Sequence, residues 1–303
     1  MSAVAVGVFD GVHLGHAAIL GRARERAAGG PLVVVSFDPH PDVVLRKTFE
    51  APAPLTPYAE KRERLLAHGV DRFEVLPFTR ELAALEPEAF VDRHLVEPFH
   101  PRWLVVGENF ALGRARAGTP PRLAEIGRTR GFEVEAVPLL EMDGGPVTST
   151  RIRGLIGEGH VAEAGRLLGR RYALRGTVVR GEAIGRTLGY PTANLRLGAD
   201  CGLKHGIYAV RVGVGGTLYD GVASFGRRPM FDTGAVLLEI FLFDFSGDLY
   251  GAALDCAFIA WIRPEMNFPN VEELIRRMDQ DSSQARHALA REPDAFPPLG
   301  VPG

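Results

Sequence analysis

The sequence predicts an α/β half followed by a β half, arranged as two domains along 303 residues. Three observations support this. Through about residue 170, strand-like apolar runs alternate with helical patterns, which builds a doubly wound parallel sheet with helices on both faces. Beyond Arg170 the pattern turns to strand-length runs separated by turn residues, the mark of an antiparallel barrel or closed sandwich. The stretch "NVEELIRRMDQDSSQARHAL" then predicts a terminal amphipathic helix. The length suits two domains that each bury a core. The expected boundaries are 1–168 and 169–303, with "RIRGLIGEGHVAEAGRLLGRR" as a helical bridge.

Each element has a local reason. "AVAVGVF" is a fully buried type of strand, and "GHAAILGRARERAAGG" is a helix expected to stop at Gly29 and Gly30, residues that tolerate a left-handed cap. "PLVVVSF" is the second strand. "TPYAEKRERLLAHG" is a helix with Thr56 expected as N-cap, Pro57 at its first position and Gly69 at its end. "FEVLPF", the helix "EPEAFVDRHLVEPF", "WLVVG", the helix "PPRLAEIGRTRG" and "FEVEAVPLL" continue the alternation. In the second half, "YALRGTVVRG", "GIYAVRVGVGGTLYDGVASFG" and "AVLLEIFLFDFSGDLYGAALDCAFIAWI" hold the strands. Gly215-Gly216 and Ser246-Gly247-Asp248 are expected hairpin turns.

Composition narrows the function. A formal net charge of -2 gives no basic excess, so nucleic acid is not an expected partner. "RARER", Arg22 to Arg26, reads as a solvated helix face. Two cysteines, Cys201 and Cys256, make neither a zinc site nor a disulfide framework, which suits a reducing cytoplasm. No apolar run approaches a membrane span, and the apolar start reads as a strand with no basic region ahead of it, not as a signal peptide.

Parallel sheets bind ligands at the carboxyl ends of their strands. Four strands here run into unusual polar loops: "DGVHLGH", "DPHP" (Asp38 to Pro41), "ENFALGRARAG" (Glu108 to Gly118) and "GGPVTSTRIR" (Gly144 to Arg153). All four are expected on one edge. In "FDGVHLGH", Phe9 to His16, the pair His13 and His16 allows a metal site, an anion grip or a plain turn. The setting favours phosphate. A strand gives way to a helix near Gly15, Gly11 and Gly15 permit close backbone approach, and a helix N-terminus presents unpaired N–H groups. No partner set of ligands completes a metal site. In "STRIR", Ser149 or Thr150 can cap a helix and Arg153 can fork around phosphate oxygens, although a cap with two surface arginines is the blander reading.

In the second half, "GEAIGRTLGYPTAN" runs from Gly181 through Gly185 to Asn194 and is not a P-loop, since only three residues separate its glycines and an arginine stands where the lysine would be. Glu239 is the sharper oddity. It is the single ionisable residue from Ala235 to Phe243, within a strand apolar on both faces. Burying an unpartnered carboxylate is costly, so the position has either a task or an edge-strand route to solvent.

"GVFDGVHLGH", "SFDPHP", "VGENFALGRARAG" and "TSTRIRG" resemble the adenylyltransferase half of the bacterial bifunctional riboflavin kinase/FAD synthetase family, within the His-x-Gly-His nucleotidyltransferases. "GRTLGYPTANL", "DFSGDLYG" and "IRPEMNFPNVEEL" resemble its riboflavin kinase half. The resemblance implies a Rossmann-like nucleotidyltransferase domain and a β-barrel kinase domain. These would make FMN from riboflavin and ATP, then FAD and pyrophosphate from FMN and ATP. It implies that His13 and His16 touch the ATP phosphates within the strand–helix turn of Phe9, Asp10, Gly11 and Gly15. It further implies that His40 and Asn109 lie in nucleotide- and flavin-binding loops, and that Ser149, Thr150 and Arg153 complete the triphosphate grip. In the barrel it implies that Thr192 and Asn194 bind ATP-linked Mg²⁺, beside the glycines Gly181 and Gly185, and that Glu239 is the general base. The sequence departs from the family pattern at Val8, Thr148, Ser224 and Met230. A different nucleotidyltransferase and a flavin-binding regulatory module are the competing readings. The sequence leaves the oligomeric state open.

Overall fold

The computed structural model describes residues 2–45, 53–181, 185, 188–197, 201–227 and 236–292. The chain divides into two compact units, Met1–Arg151 and Ile152–Val301. The expected division lay later, at residue 168. The segment that reads as a bridge instead packs with the second unit, because its helix Val161–Leu168 buries Val161, Ala164, Leu167 and Leu168.

The first unit runs β1 (Ala3–Val6), α1 (Leu14–Ala27), β2 (Leu32–Asp38), α2 (Pro41–Leu45), α3 (Tyr58–Ala67) and β3 (Arg72–Pro77). Next come α4 (Arg80–Ala83), α5 (Pro87–Val91), a π-helical turn Asp92–Val96, α6 (Glu97–Phe99), β4 (Trp103–Gly107), α7 (Pro120–Arg130), β5 (Glu133–Val137) and the small hairpin β6 (Glu141–Met142) and β7 (Gly145–Pro146). The five main strands form one parallel sheet in the order β3-β2-β1-β4-β5. The order reverses at β1, so a crevice opens between the ends of β1 and β4. Both faces are covered, which is why β1 is apolar at every residue. Val4, Val6, Val35 and Leu104 pack with Phe90, Leu95 and Leu123 on one side. Ala3, Ala5, Val34 and Val105 pack with Leu20 and Ala27 of α1 and Leu65 of α3 on the other.

Two helix ends differ from expectation. Ala28, at φ 47, takes the left-handed cap of α1 just ahead of Gly29. Thr56 does not cap α3. Pro57 occupies that position without a side-chain bond, and the buried Thr56 Oγ1 has no hydrogen-bond partner among the described residues.

The second unit holds α8 (Ser149–Glu158, whose first turn belongs to the first unit), α9 (Val161–Leu168), and the strands β8 (Ala173–Val179), β9 (Thr192–Arg196), β10 (Gly206–Val214), β11 (Thr217–Arg227), β12 (Val236–Leu242) and β13 (Ala253–Arg263). The strands close into an antiparallel barrel, β10-β11-β12-β9-β8-β13. Gly215 and Gly216, at φ 55 and 86, form the two-residue turn between β10 and β11, as expected. Ser246–Asp248 is not a hairpin turn. β12 pairs with β11 and β9 while β13 pairs with β10 and β8, so this segment belongs to a longer connection between strands that are not neighbours.

Tyr208, Phe225, Leu238, Ile240 and Phe258 fill the barrel, all at 1% exposure or less. The terminal helix α10 (Val271–Ala290) lies outside and buries Ala285 and Leu289 against Ala209, Phe243, Ala257 and Ile259. Asn270 caps it, accepting from the Glu273 N–H at 2.8 Å. A two-pronged ion pair fixes it to the barrel: Arg263 Nε and Nη2 donate to the Asp281 carboxylate at 2.9 and 2.6 Å, with both residues buried. We expect Asp281→Ala to strand the Arg263 charge and cost about 3–5 kcal/mol of unfolding free energy, measured by denaturant titration. A loss below about 1 kcal/mol would mean the pair behaves like an exposed one.

Candidate active sites

In the first unit, the chain leaves β1 through a contorted loop. Phe9, Gly11 and Val12 have φ of 51, 86 and 39. For a β-branched valine this is a genuine outlier, and such strain collects at ligand clamps. The loop ends at His13, the N-cap of α1, whose Nδ1 accepts from the His16 N–H at 3.3 Å. That bond leaves Nε2 as the donor nitrogen of the neutral His13 ring. The His13 and His16 rings stack, 3.7 Å between centroids and 16° between planes, and Phe9 backs His16 at 5.1 Å. A Cβ on Gly15 would lie 3.1 Å from the His13 ring and 3.2 Å from the Val147 carbonyl, so glycine makes room for the imidazole. The paired rings therefore sit over the free N–H groups of a helix start, a setting suited to an anion.

Asp10 anchors the loop from within. Its buried carboxylate accepts from the Leu55 N–H at 3.0 Å and the Thr56 N–H at 3.2 Å. Its carbonyl accepts from Ser149 Oγ at 2.9 Å. The Val8 carbonyl accepts from Ser36 Oγ and from Lys61 Nζ, so the departure from the family pattern at Val8 leaves its backbone contacts in place. Lys61 was not singled out in the sequence. Burial pushes its ammonium below the usual lysine range, while Asp10 and Asp38 oppose that shift. After β2, His40 Nδ1 accepts from the Asp42 N–H at 3.1 Å. After β4, the Asn109 side chain lies over Gly107, and Arg116 donates to the Asn109 carbonyl.

At α8 the division of labour differs from expectation. Thr148 supplies the cap, its Oγ1 accepting from the Arg151 N–H at 3.2 Å. Ser149 is thereby left to bind Asp10, and Thr150 is exposed. Arg151 donates to the Met142, Asp143 and Gly145 carbonyls and closes the β6–β7 hairpin. Arg153, half-buried, follows Ser149 by four residues on the same helix, which places it on the same face. Because β1, β2, β4 and β5 are parallel, the loops holding His13, His40, Asn109 and Ser149 leave the same edge of the sheet. Among the described residues, no group of three or more His, Cys, Asp or Glu could hold a metal ion.

In the barrel, Glu239 on β12 lies directly opposite Asn194 on β9 and Ser224 on β11. Phe241 lies opposite Thr192. Leu238 and Ile240 point into the barrel, so Thr192, Asn194, Ser224 and Glu239 share its outer face. β12 is paired on both sides, so Glu239 is not an edge-strand residue. It is half-buried among neighbours on both flanking strands. Gly181 and Gly185 lie close to residues of this face. A Cβ on Gly181 would fall 2.3 Å from Asn194 Nδ2, and one on Gly185 would fall 2.3 Å from the Tyr190 carbonyl and 3.4 Å from Thr192 Oγ1.

Tyr190 packs edge-on against Phe241 at 4.9 Å and hydrogen-bonds Asp279 of α10. Burial first, then Asp279, pushes the Tyr190 phenol up to about 12, so it stays a neutral donor. The oxygens of Thr192 and Asn194 with the single carboxylate of Glu239 are a hard donor set. It suits a divalent cation that arrives with phosphates better than a dedicated protein cage. Arg186, Thr187 and Met230 lie outside the described residues.

The FAD synthetase family model matches residues 1–151 and the riboflavin kinase family model matches residues 168–289. A Listeria monocytogenes protein, bifunctional riboflavin kinase/FMN adenylyltransferase, is 38% identical over 96% of this chain and 93% of its own length. Proteins of the same name from Pseudomonas fluorescens and Escherichia coli K12 are 40% and 36% identical, over 94% and 93% of this chain and 92% and 90% of their own lengths. A crystal structure described as a macrolide-efflux protein of Streptococcus pneumoniae superposes with a TM-score of 0.85 at 32% identity, over 94% of this chain and 93% of that one. Among the described residues no helix is long and apolar enough to cross a membrane. With both family models in order and homology along nearly the whole chain, the protein belongs to the bifunctional riboflavin kinase/FMN adenylyltransferase family.

Proposed function

We propose a residue-by-residue division of labour for the two reactions of this enzyme, riboflavin phosphorylation to FMN and FMN adenylylation to FAD. The adenylyltransferase site is assigned to Met1–Arg151 with Arg153 just beyond it. The kinase site is assigned to the barrel unit.

The kinase assignment rests on the cross-strand pairing of Glu239 with Asn194. Glu239 takes the proton from the riboflavin 5′-hydroxyl as that oxygen attacks the γ-phosphorus of ATP, and ADP leaves. Thr192 and Asn194 would hold Mg²⁺, which would supply charge neutralisation on the phosphates when bound. Gly181 and Gly185, beside Asn194 and Thr192, border the nucleotide.

The adenylyltransferase assignment rests on the stacked His13–His16 pair at the start of α1. An FMN phosphate oxygen attacks the α-phosphorus of ATP in line, and pyrophosphate leaves. His13 and His16 donate to the phosphate oxygens and follow the charge as it develops. Gly11 and Gly15 let the loop approach, and Phe9 and Asp10 hold it. Ser149, Thr150 and Arg153 grip the outer phosphates, and His40 and Asn109 border the bound substrates. ATP, riboflavin and FMN are the small-molecule partners, with no nucleic acid or membrane partner. The two buried free thiols, Cys201 and Cys256, fit a cytoplasmic setting.

Product analysis tests the whole assignment: protein, riboflavin, ATP and Mg²⁺ are incubated and the flavins separated chromatographically. Absence of both FMN and FAD would refute it. We expect Glu239→Gln to slow FMN formation by about 10²–10⁴-fold while supplied FMN is still converted to FAD. Loss of both activities in a folded variant would contradict separate sites. We expect His16→Ala to slow FAD formation by about 10²–10³-fold and to leave riboflavin phosphorylation at the wild-type rate. An unchanged FAD rate would remove His16 from the phosphate site.

A further inference from the structure

Thr192 and Asn194 follow a short turn that Tyr190 closes. The Gly185 carbonyl accepts from the Leu188 and Tyr190 N–H groups at 3.1 and 2.8 Å. A Cβ on Gly185 would collide with the Tyr190 carbonyl, so the two ends of the turn lie against each other. Pro191 comes next, with one backbone torsion fixed by its ring, and Thr192 then opens β9. The path from Tyr190 to Thr192 therefore has little freedom. Where Tyr190 is held, the first residues of β9 are held.

The Tyr190 side chain is gripped by two elements. Its ring packs edge-on against Phe241, the residue of β12 opposite Thr192, at 4.9 Å. Its hydroxyl donates to the Asp279 carboxylate of α10. A phenylalanine would make the ring contact equally well. The hydroxyl adds a directional bond to a charged acceptor, and that bond ends on a helix. The helix is itself anchored by other residues. Arg263 pairs with Asp281, Arg277 Nε lies 3.3 Å from the same carboxylate, and Ala285 and Leu289 are buried in a cluster against which Phe241 also packs. α10 has no part in the reaction steps assigned above, yet it reaches Thr192 through Tyr190 and Phe241.

We propose that Tyr190 and Asp279 are a positioning pair for riboflavin phosphorylation: through this bond the terminal helix holds the start of β9 where Thr192 and Asn194 receive ATP and its Mg²⁺. The proposal rests on the assignment of Thr192 and Asn194 to the nucleotide. Neither Tyr190 nor Asp279 is given a reacting atom. Their part is to fix the two oxygen donors before the nucleotide arrives, because a donor set that is already ordered binds more tightly than one that must be ordered on binding.

The test uses the full-length protein, with riboflavin phosphorylation measured at varied ATP and varied riboflavin, and with binding of Mg²⁺·ADP measured by calorimetry. Tyr190→Phe and Asp279→Ala should each raise the KM for ATP about fivefold and weaken Mg²⁺·ADP by a similar factor, with the KM for riboflavin unchanged. The double variant should be no worse than either single one, since both remove the same bond. Asp279→Asn keeps an acceptor for the hydroxyl and should stay within about twofold of wild type. A merely structural role would lower the melting temperature while leaving the KM for ATP and the Mg²⁺·ADP affinity at their wild-type values, and that result overturns the proposal. An equal rise in the KM for riboflavin overturns it too, as do losses that add in the double variant. Should Asp279→Ala fail to fold, Tyr190→Phe, which keeps the ring on Phe241, decides alone. A folded Thr192→Ala that binds Mg²⁺·ADP as wild type does refutes the underlying assignment instead, so the two failures are distinguishable.

Discussion

One buried carboxylate organises the nucleotidyl-transfer end of the first unit. Asp10 accepts two backbone N–H groups from Leu55 and Thr56, and its own carbonyl accepts the Ser149 hydroxyl. Segments far apart in sequence, the exit of β1, the approach to α3 and the start of α8, are held by that residue. A charged acceptor on backbone donors is stronger than a neutral one, and burial at 4% exposure shields it from water. The histidines ride on this scaffold. Their rings are set by stacking, by Phe9 and by the helix cap, and none of these would keep its position if the loop slid along the sheet.

The barrel achieves the same result by register. Glu239, Asn194 and Ser224 meet because β9, β12 and β11 pair in a fixed alignment, and a slip of one residue would turn each to the barrel interior. The outer face is then bounded by α10, where Arg263 and Asp281 anchor the helix and Asp279 receives Tyr190 from the segment entering β9. The departure at Ser224 falls within this set, opposite the Glu239 carboxylate itself.

Much of this was legible because periodicity and turn chemistry act locally. The alternating first half, the antiparallel second half, the Gly215-Gly216 hairpin and the anion-friendly start of α1 all follow from nearest-neighbour rules. What escaped depended on distant partners. Thr56 reads as a helix cap from its neighbours alone, yet Asp10 holds its backbone and Pro57 takes the cap. Thr148, Ser149 and Arg151 look interchangeable with their neighbours until Asp10 and the β6–β7 hairpin fix their roles. Lys61 is one charge among several on a polar helix, and only the tertiary fold turns it toward the Val8 carbonyl. Ser246–Asp248 has hairpin composition, but closing the barrel separates the strands on either side of it.

Gly15 and Gly181 share a property that reaches beyond chemistry. Each leaves a gap filled by the side chain of another residue, the His13 ring in one case and the Asn194 amide in the other. A saturation screen scored on growth would therefore mark both positions as intolerant, although neither offers a functional group. Every codon change that adds even one carbon displaces a neighbour, so the apparent importance of these glycines would be borrowed from the residues they accommodate. The same screen would separate them from Gly29, where an added Cβ would meet nothing within 4 Å beyond its chain neighbours. There the penalty would come from the backbone alone, and asparagine would be the mildest replacement.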